Sequence, residues 1–383
     1  MAMQLTSFDT GGFLRDHWQK KPLLIRNPWD DWRNPLEPDE LAGLACEDSV
    51  ESRLVMRDAG RWNLEQGPLD ESRFDQLGGR PWTLLVQAVD HHVPAVAALI
   101  EAFRFIPDWR IDDVMVSYAD DGGGVGAHFD HYDVFLLQGL GRRRWQLGAM
   151  CDDNTALLPH DDLRLLADFE PVDEWILEPG DMLYVPPGVA HNGVAVGDQC
   201  MTYSIGFRAP SRGELIAGWS EHLLAELGDD DRYTDPDLMV QPNPGEIGSD
   251  ALDRLHGMIA EALGDRDAFA RWFGQFSTTP KNPDIDWRPE DPSDAAEAAR
   301  LLAAGNALHR NPAVRFSFAR TRPLSLFVDG ECYPCTGKTA EFAERLCAQH
   351  TLTLSPAMAR ASEVVALAVE LLDKGVIAFE PDN

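Results

Sequence analysis

The segment DGGGVGAHFDHYDVFLLQGLGRRRW, residues 121–145, places the strongest constraint on how this chain can fold. A glycine-rich turn comes first, and a strand that begins at His128-Phe129-Asp130 is predicted to follow it. Successive side chains of a strand point to opposite faces, so His128 and Asp130 should share a face, about 7 Å apart. A site of two histidines and one carboxylate suits iron(II) and leaves open positions. The segment therefore predicts two of the three ligands of such a site.

A candidate for the third ligand lies in residues 178–193, EPGDMLYVPPGVAHNG. A tight Pro-Gly turn leads into a short apolar strand, Met182 to Val185, and a rigid bend at 186–188 precedes His191. Proline and glycine fix the direction of the backbone, so the framework should hold a histidine just beyond them. Alone, His191 would be interpreted as a surface-loop histidine. Together with the HxD motif, it favours a metal site.

Three consecutive arginines follow the predicted strand, and the alternation of side chains separates them. Arg143, Trp145 and Leu147 share one face, whereas Arg142 and Arg144 lie on the other. The face with the apolar residues should point into the core, so Arg143 is predicted to be buried and its neighbours solvated. A buried arginine is unfavourable unless an anion pairs with it. A dicarboxylate cosubstrate would supply that anion.

A second HxD motif, His131-Tyr132-Asp133, directly follows the first and lies on the opposite strand face. The buried position predicted for Arg143 bears on this choice but does not by itself name the ligand pair. The residue pattern leaves both motifs as candidates.

Three motifs carry a resemblance to a known family: HFDxxDVFLLQ, GRRRW and PGDMLYVPPGVAH. They resemble the JmjC-type 2-oxoglutarate and iron(II)-dependent oxygenases, and most of all the bacterial ribosomal-protein arginine hydroxylases. The resemblance implies that His128, Asp130 and His191 bind the metal. It also implies that the basic residue fifteen positions after the first histidine, Arg143, binds 2-oxoglutarate. Counting from His131 reaches Gln146, which cannot neutralise a carboxylate, so the family spacing selects the first motif.

The same resemblance implies further pocket residues. Ser117 matches a position that helps to hold 2-oxoglutarate, and the alternative is that it is an ordinary strand hydroxyl. Thr202 and Ser204 share a strand face and are candidates to line the cosubstrate pocket. Asp120 and Asp121 are candidates to bind a substrate guanidinium at the pocket mouth, and a plain role in the turn is an equal alternative.

The implied activity is hydroxylation of an arginine side chain at its 3-position in large-subunit ribosomal protein sixteen. Iron(II), 2-oxoglutarate and dioxygen would take part, and 2-oxoglutarate would be converted to succinate and CO2. The iron and cosubstrate carry this chemistry, so no acid or base from the protein is required. The alternatives are the same chemistry on histidine or methyl-lysine, a metallo-cupin such as an isomerase, and a non-catalytic binding module.

Composition favours a cytoplasmic enzyme. No apolar run reaches membrane-spanning length, and the N-terminal residues lack the basic start and apolar stretch of a signal peptide. Six scattered cysteines fit a reducing compartment, and Cys332 and Cys335 are interpreted as ordinary thiols of a hairpin. The net charge of −31 argues against nucleic-acid binding. It suits a basic ribosomal protein partner, although solubility or adaptation to salt would explain it equally well.

The predicted architecture is α+β and multidomain. Residues 1–210 are expected to form a cupin/JmjC double-stranded β-helix, or jelly roll, with flanking helices. A helical region at 211–290 would follow, with helices at 212–227 and about 250–276, and the resemblance implies that it forms a homodimer interface. Residues 291–383 resemble a winged helix. This module is not basic, since Lys374 is the only lysine or arginine in 361–383, and a protein-contact or structural role is favoured over DNA binding.

Overall fold

The computed structural model describes residues 3–379 except 59, 79 and 161. The chain divides into two compact units, residues 1–209 and 210–383. The first unit is built around two facing β-sheets, and the second combines helices with small sheets. Within the described ranges, no helix has the length and apolar character needed to cross a membrane.

The strands of the first unit are β1 Leu23–Ile25, β2 Ser52–Asp58, β3 Arg61–Gln66, β4 Trp82–Val86, β5 Ile111–Ala119, β6 Asp133–Leu140, β7 Arg143–Met150, β8 Asp173–Leu177, β9 Met182–Val185, β10 Val189–Ala195 and β11 Cys200–Phe207. Its α-helices are α1 Thr10–Asp16, α2 Pro38–Leu44 and α3 Pro94–Ala97. Short 3₁₀ helices occur at Glu71–Gln76, Val89–His91, Ala98–Phe103 and Asp108–Arg110.

Two antiparallel sheets enclose the interior of this unit. Among the described residues, the large sheet has the order β1-β9-β6-β11-β5-β4-β2-β3, and the small sheet has the order β10-β7-β8. A cluster of buried side chains from both sheets fills the space between them, including Leu136 and Leu183 from the large sheet and Trp145 and Leu147 from the small one. The predicted jelly roll is confirmed.

Strand β6 is buried on both faces, which explains its continuous apolar sequence. Leu136 points between the sheets, whereas Phe135 and Leu137 belong to a second cluster on the outer face of the large sheet. Helix α1 contributes Phe13 to that outer cluster. Both faces of β6 are covered, so this strand contributes side chains both to the interior between the sheets and to the cluster on the outer face of the large sheet.

The second unit contains α4 Arg212–Glu226, α5 Ser249–Leu263, α6 Arg266–Thr278, α7 Ala295–Ala304, β12 Leu308–Arg310, β13 Phe316–Ala319, β14 Leu324–Val328, β15 Glu331–Cys335, α8 Gly337–Ala348, β16 Thr351–Leu352, α9 Pro356–Ala359, α10 Ser362–Asp373 and β17 Ile377–Phe379. Its strands form the sheets β16-β12-β17 and β13-β14-β15. Cys332 and Cys335 lie on β15, the second strand of a hairpin, and both are free thiols.

The single helix predicted at about 250–276 is wrong, because the chain forms two helices there. Helix α5 ends at Leu263, with Gly264 after it, and Asp265 caps the start of α6 by accepting hydrogen bonds from the backbone N–H groups of 267 and 268. A capping aspartate after a glycine favours a break over a continuous helix. Helix α6 then packs on β14, where a Cβ at Gly274 would lie 2.3 Å from the Phe327 ring.

Candidate metal centre and cosubstrate pocket

His128, Asp130 and His191 come together at one end of the small sheet. Their potential ligand atoms all lie within 4.8 Å of one another. The Nε2 atom of His191 is 3.5 Å from an Asp130 carboxylate oxygen, and the two imidazole centroids are 4.3 Å apart. Two nitrogens and one carboxylate oxygen facing a common point fit a divalent transition metal with open positions.

The strand predicted to begin at His128 is wrong in its start. Strand β6 begins at Asp133, and His128 instead forms an isolated antiparallel bridge with His191. The two residues exchange backbone hydrogen bonds of 3.0 and 2.8 Å, and the Gly188 N–H donates to the Asp130 carbonyl at 2.7 Å. A positive φ of 90° at Gly126 keeps the preceding chain out of regular strand geometry. Backbone contacts with β10 therefore hold the HxD motif.

Hydrogen bonds to backbone carbonyls orient both imidazoles. The Nδ1 atom of His128 lies 2.9 Å from the Gly126 carbonyl oxygen, and that of His191 lies 3.0 Å from the Val189 carbonyl oxygen. A carbonyl only accepts, so each Nδ1 carries the proton and each Nε2 presents a lone pair. Such fixed tautomers are the usual arrangement for metal-binding histidines.

The protonation state of His191 also favours binding of a metal cation. Its side chain is buried, and burial lowers the pKa of His191 to about 4, with the neighbouring His128 acting in the same direction and Asp130 opposing both. The imidazole is therefore neutral at physiological pH, which is the form that binds metal.

The second HxD motif does not form a site. His131 is exposed and lies 3.8 Å from Asp153 at the surface. Asp133 is fully buried and accepts hydrogen bonds from the Tyr184 hydroxyl at 2.6 Å, from the Gln19 amide at 2.9 Å and from Arg110 at 3.1 Å. The Asp133 carboxylate therefore joins distant segments of the fold.

Arg143 lies inside the jelly roll, as the side-chain alternation predicted. It is 3% exposed, and Trp145 and Leu147 on the same face are also buried. Arg142 is exposed as predicted, whereas Arg144 is half-buried and not fully solvated. Within the part of the chain that the structure describes, the Nε of Arg143 donates to the Cys200 sulfur at 3.4 Å and its Nη2 has no hydrogen-bond partner. A buried cation with an unsatisfied nitrogen fits a carboxylate ligand.

Ser117, Thr202 and Ser204 lie on the face of the large sheet that points toward the small sheet. Thr202 pairs with Ser117, and Ser204 pairs with Leu136, a member of the cluster between the sheets. The Ser117 hydroxyl lies 3.5 Å from the Thr202 carbonyl, and the Thr202 hydroxyl donates to the Gln138 side chain at 3.1 Å. Ser204 is half-buried. These hydroxyls line the same interior as Arg143.

Two pocket residues were not predicted. Gln138 and Cys200 are fully buried, and their side chains contact each other and the predicted pocket residues. Gln138 could have been found from the sequence, because it is a polar residue at the end of the apolar run of β6. No local signal marks Cys200, because a buried cysteine is ordinary.

Asp120 and Asp121 both have hydrogen bonds in the glycine turn. An Asp120 carboxylate oxygen accepts from the Asp121 backbone N–H at 2.9 Å, and an Asp121 oxygen accepts from the Gly197 N–H at 2.7 Å. Asp121 is exposed and Asp120 is half-buried. Each carboxylate thus contributes to the turn.

Comparison with known proteins extends this picture to the whole chain. Residues 98–215 match the JmjC domain model, and residues 259–378 match the ROXA-like winged helix model. The ribosomal protein uL16 3-hydroxylase of Escherichia coli (strain K12) is 41% identical over 309 residues, which cover 79% of this chain and 81% of that protein.

Solved structures agree with the sequence relatives. The X-ray structure of E. coli YcfD covers 99% of this chain and 100% of its own, with a TM-score of 0.91 and 37% identity. YcfD is also described as a ribosomal oxygenase in complex with cobalt and 2-oxoglutarate, with a TM-score of 0.88, 36% identity and coverage of 99% of this chain and 100% of that one. This chain therefore belongs to the JmjC-domain family of ribosomal oxygenases.

Proposed function

We propose that this protein is an iron(II)- and 2-oxoglutarate-dependent oxygenase that hydroxylates the 3-position of an arginine side chain in ribosomal protein uL16. Its relatives support the proposal, because they include a uL16 3-hydroxylase and a ribosomal oxygenase whose structure was solved with cobalt and 2-oxoglutarate. The observation that carries it is the combination of a three-ligand metal site with a buried, uncompensated arginine in one jelly roll.

The chain's own residues bind and orient the reactants. His128, Asp130 and His191 would hold iron(II) from one side and leave positions open for the cosubstrate and dioxygen. When bound, iron with 2-oxoglutarate and dioxygen supplies the oxidising power to hydroxylate a C–H bond, and the cosubstrate leaves as succinate and CO2. Arg143 would anchor the far carboxylate of 2-oxoglutarate by charge-assisted hydrogen bonds.

The walls of the pocket would complete the site. Ser117, Thr202 and Ser204 would line the cosubstrate, and the apolar cluster between the sheets would exclude water. No protein group needs to act as an acid or base in this chemistry. Asp120 and Asp121 would receive the substrate guanidinium through carboxylate oxygens that the turn leaves available.

The partner fits the charge of the protein. A net charge of −31 attracts a basic ribosomal protein and repels free nucleic acid. We also propose that the protein acts in the cytoplasm, where ribosomal proteins are made. A homodimer would form through the helical region at 211–290, and the winged-helix module at 291–383 would serve protein contact.

The decisive experiment is turnover of recombinant uL16 with iron(II) and 2-oxoglutarate, followed by mass spectrometry of its peptides. We expect succinate formation and the gain of one oxygen atom on an arginine. His128→Ala and Asp130→Ala should abolish both. Full activity of either variant would overturn the metal site.

The same assay separates the alternatives. An oxygen gained on histidine, or the loss of a methyl group from lysine, would move the substrate to another residue. Activity without 2-oxoglutarate would indicate a different metallo-cupin. Failure to bind metal would indicate a binding module.

A further inference from the structure

The hydrogen bond between Arg143 and Cys200 has a consequence for the choice of cosubstrate. Among the described residues, the only hydrogen bond of the guanidinium is the one from Nε to the Cys200 sulfur, at 3.4 Å. Cys200 is fully buried at the start of β11, and the Trp145 ring covers the guanidinium, with its centroid 5.8 Å from the Arg143 carbon Cζ. A thiol is neutral and accepts hydrogen bonds weakly. It therefore orients Arg143 without compensating its charge.

Gln138 fixes the thiol from the other side. Its Nε2 donates to the Cys200 sulfur at 3.5 Å and to the Leu140 carbonyl at 2.7 Å. Its Oε1 accepts from the Thr202 hydroxyl at 3.1 Å. The amide is thus locked with its nitrogen toward Cys200 and its oxygen toward Thr202. No acceptor of Gln138 competes for the arginine.

The consequence is a chain of contacts across four strands. It runs from Ser117 on β5 through Thr202 on β11 and Gln138 on β6 to Cys200, and from there to Arg143 on β7. Every member is nine-tenths buried or more. Because Nε is occupied by sulfur, the unpartnered Nη2 is left for a ligand. A carboxylate at position 138 or 200 would instead satisfy the arginine internally.

Building on the proposed function, we propose that Cys200 and Gln138 are positioning residues for the cosubstrate. They hold Arg143 with its Nη edge toward the far carboxylate. Their lack of charge keeps the cation uncompensated until a dicarboxylic 2-oxo acid binds. The selectivity for 2-oxoglutarate over a monocarboxylic 2-oxo acid then arises from this neutral pair together with Arg143.

The test introduces a carboxylate into the pair. Cys200→Asp and, independently, Gln138→Glu are compared with the neutral variants Cys200→Ser and Gln138→Leu, using the full-length, metal-loaded protein. Binding of 2-oxoglutarate is measured by the shift in melting temperature and by the KM in succinate formation. The ligand 2-oxovalerate, which has a methyl group in place of the far carboxylate, reports the selectivity.

We expect each acidic variant to raise the KM for 2-oxoglutarate about tenfold or more, because an internal ion pair must be broken before the ligand binds. The preference over 2-oxovalerate should fall by a similar factor, and kcat at saturating cosubstrate should change far less. Cys200→Ser should retain most of the affinity, whereas Gln138→Leu should lose part of it. Cys335→Ser removes a buried thiol in the other unit and should change neither value.

Two results would overturn the inference. In the first, every acidic variant that folds keeps the wild-type KM for 2-oxoglutarate and the wild-type selectivity over 2-oxovalerate. In the second, the neutral variants raise the KM for 2-oxoglutarate as strongly as the acidic ones, which is the pattern of a purely structural role. Should one acidic variant fail to fold, the other decides. Failure of the wild-type protein to bind 2-oxoglutarate would instead reject the proposed function.

Discussion

At the residue scale, the two HxD motifs show how identical spacing serves two purposes. Asp130 lies 3.5 Å from His191, whereas Asp133, three residues later, is fully buried and accepts hydrogen bonds from Tyr184, Gln19 and Arg110. One carboxylate is available to a metal, and the other has its hydrogen-bonding capacity satisfied by the protein. The surroundings of each carboxylate, and not the motif that contains it, therefore decide its role.

This difference predicts opposite effects of two equivalent substitutions. Asp133→Asn removes a fully buried charge that pairs with the half-buried Arg110 and should lower the free energy of unfolding by about 3 kcal/mol. Denaturant unfolding would measure that loss, and metal titration of the folded fraction should still reach one equivalent. Asp130→Asn should give the reverse, with near wild-type unfolding and weakened metal binding. Equal stability of the two variants would contradict the assignment.

Arg143 carries a second prediction at this scale. Arg143→Ala should raise the KM for 2-oxoglutarate by about 10- to 100-fold, which corresponds to the loss of a hydrogen-bonded charge. Steady-state succinate formation provides the measurement. Arg142→Ala is the matched control, because Arg142 is the neighbouring arginine and is exposed. The cosubstrate anchor would be misassigned if both variants had the same KM.

At the element scale, the loop before β6 and the start of β10 act as one support for the metal ligands. The loop carries His128 and Asp130, β10 carries His191, and backbone hydrogen bonds join the two directly. Gly126 enables this arrangement, since its carbonyl orients His128 and a Cβ there would lie 2.8 Å from the Trp62 ring and 3.0 Å from Leu165. The packing around the loop therefore bears on metal affinity.

Gly126→Ala tests this support. Alanine at a positive φ costs about 1–2 kcal/mol, and the contact with Trp62 and Leu165 should displace the loop further. We expect metal affinity to fall by about 10- to 100-fold, because the hydrogen bond that orients His128 is disturbed. Gly197 has a similar φ of 78°, and a Cβ there would have no neighbour within 4 Å. Gly197→Ala should therefore lower stability without changing metal affinity. Metal titration and thermal melting distinguish the two, and unchanged affinity in Gly126→Ala would refute the idea.

At the scale of the whole molecule, the described part of the second unit has an apolar surface on helix α5. Leu252, Leu255, Ile259 and Leu263 recur at helical spacing and are between 42% and 62% exposed, and no residue of the helix is buried. Apolar side chains in one stripe are typical of an interface. This surface agrees with the homodimer that we propose.

The double substitution Leu255→Glu with Ile259→Glu should convert the dimer to a monomer, because two charges would be buried at the interface. Light scattering coupled to size-exclusion chromatography gives the mass directly. Arg254→Glu changes an exposed residue on another face of the same helix and should leave the dimer intact. A wild-type monomer would exclude the proposed assembly.

Local patterns predicted much of the fold and part of the site. Alternation along β7 identified Arg143 as the buried arginine, and the Pro-Gly turn with the short strand before His191 was confirmed as β9. Such features depend on neighbours in the chain. The break between α5 and α6 was missed, although the Gly264-Asp265 pair is a local signal of a helix end followed by a cap.

The sequence by itself determined the types of ligand, the buried face of β7 and the short strand β9 before His191, because these follow from side-chain chemistry and short-range geometry. Only the tertiary structure decided that Asp130 meets His191, that Asp133 is paired within the core and that Cys200 and Gln138 surround Arg143. Each of these contacts joins residues far apart in the chain. Sheet pairing and burial create them, and no local pattern encodes them.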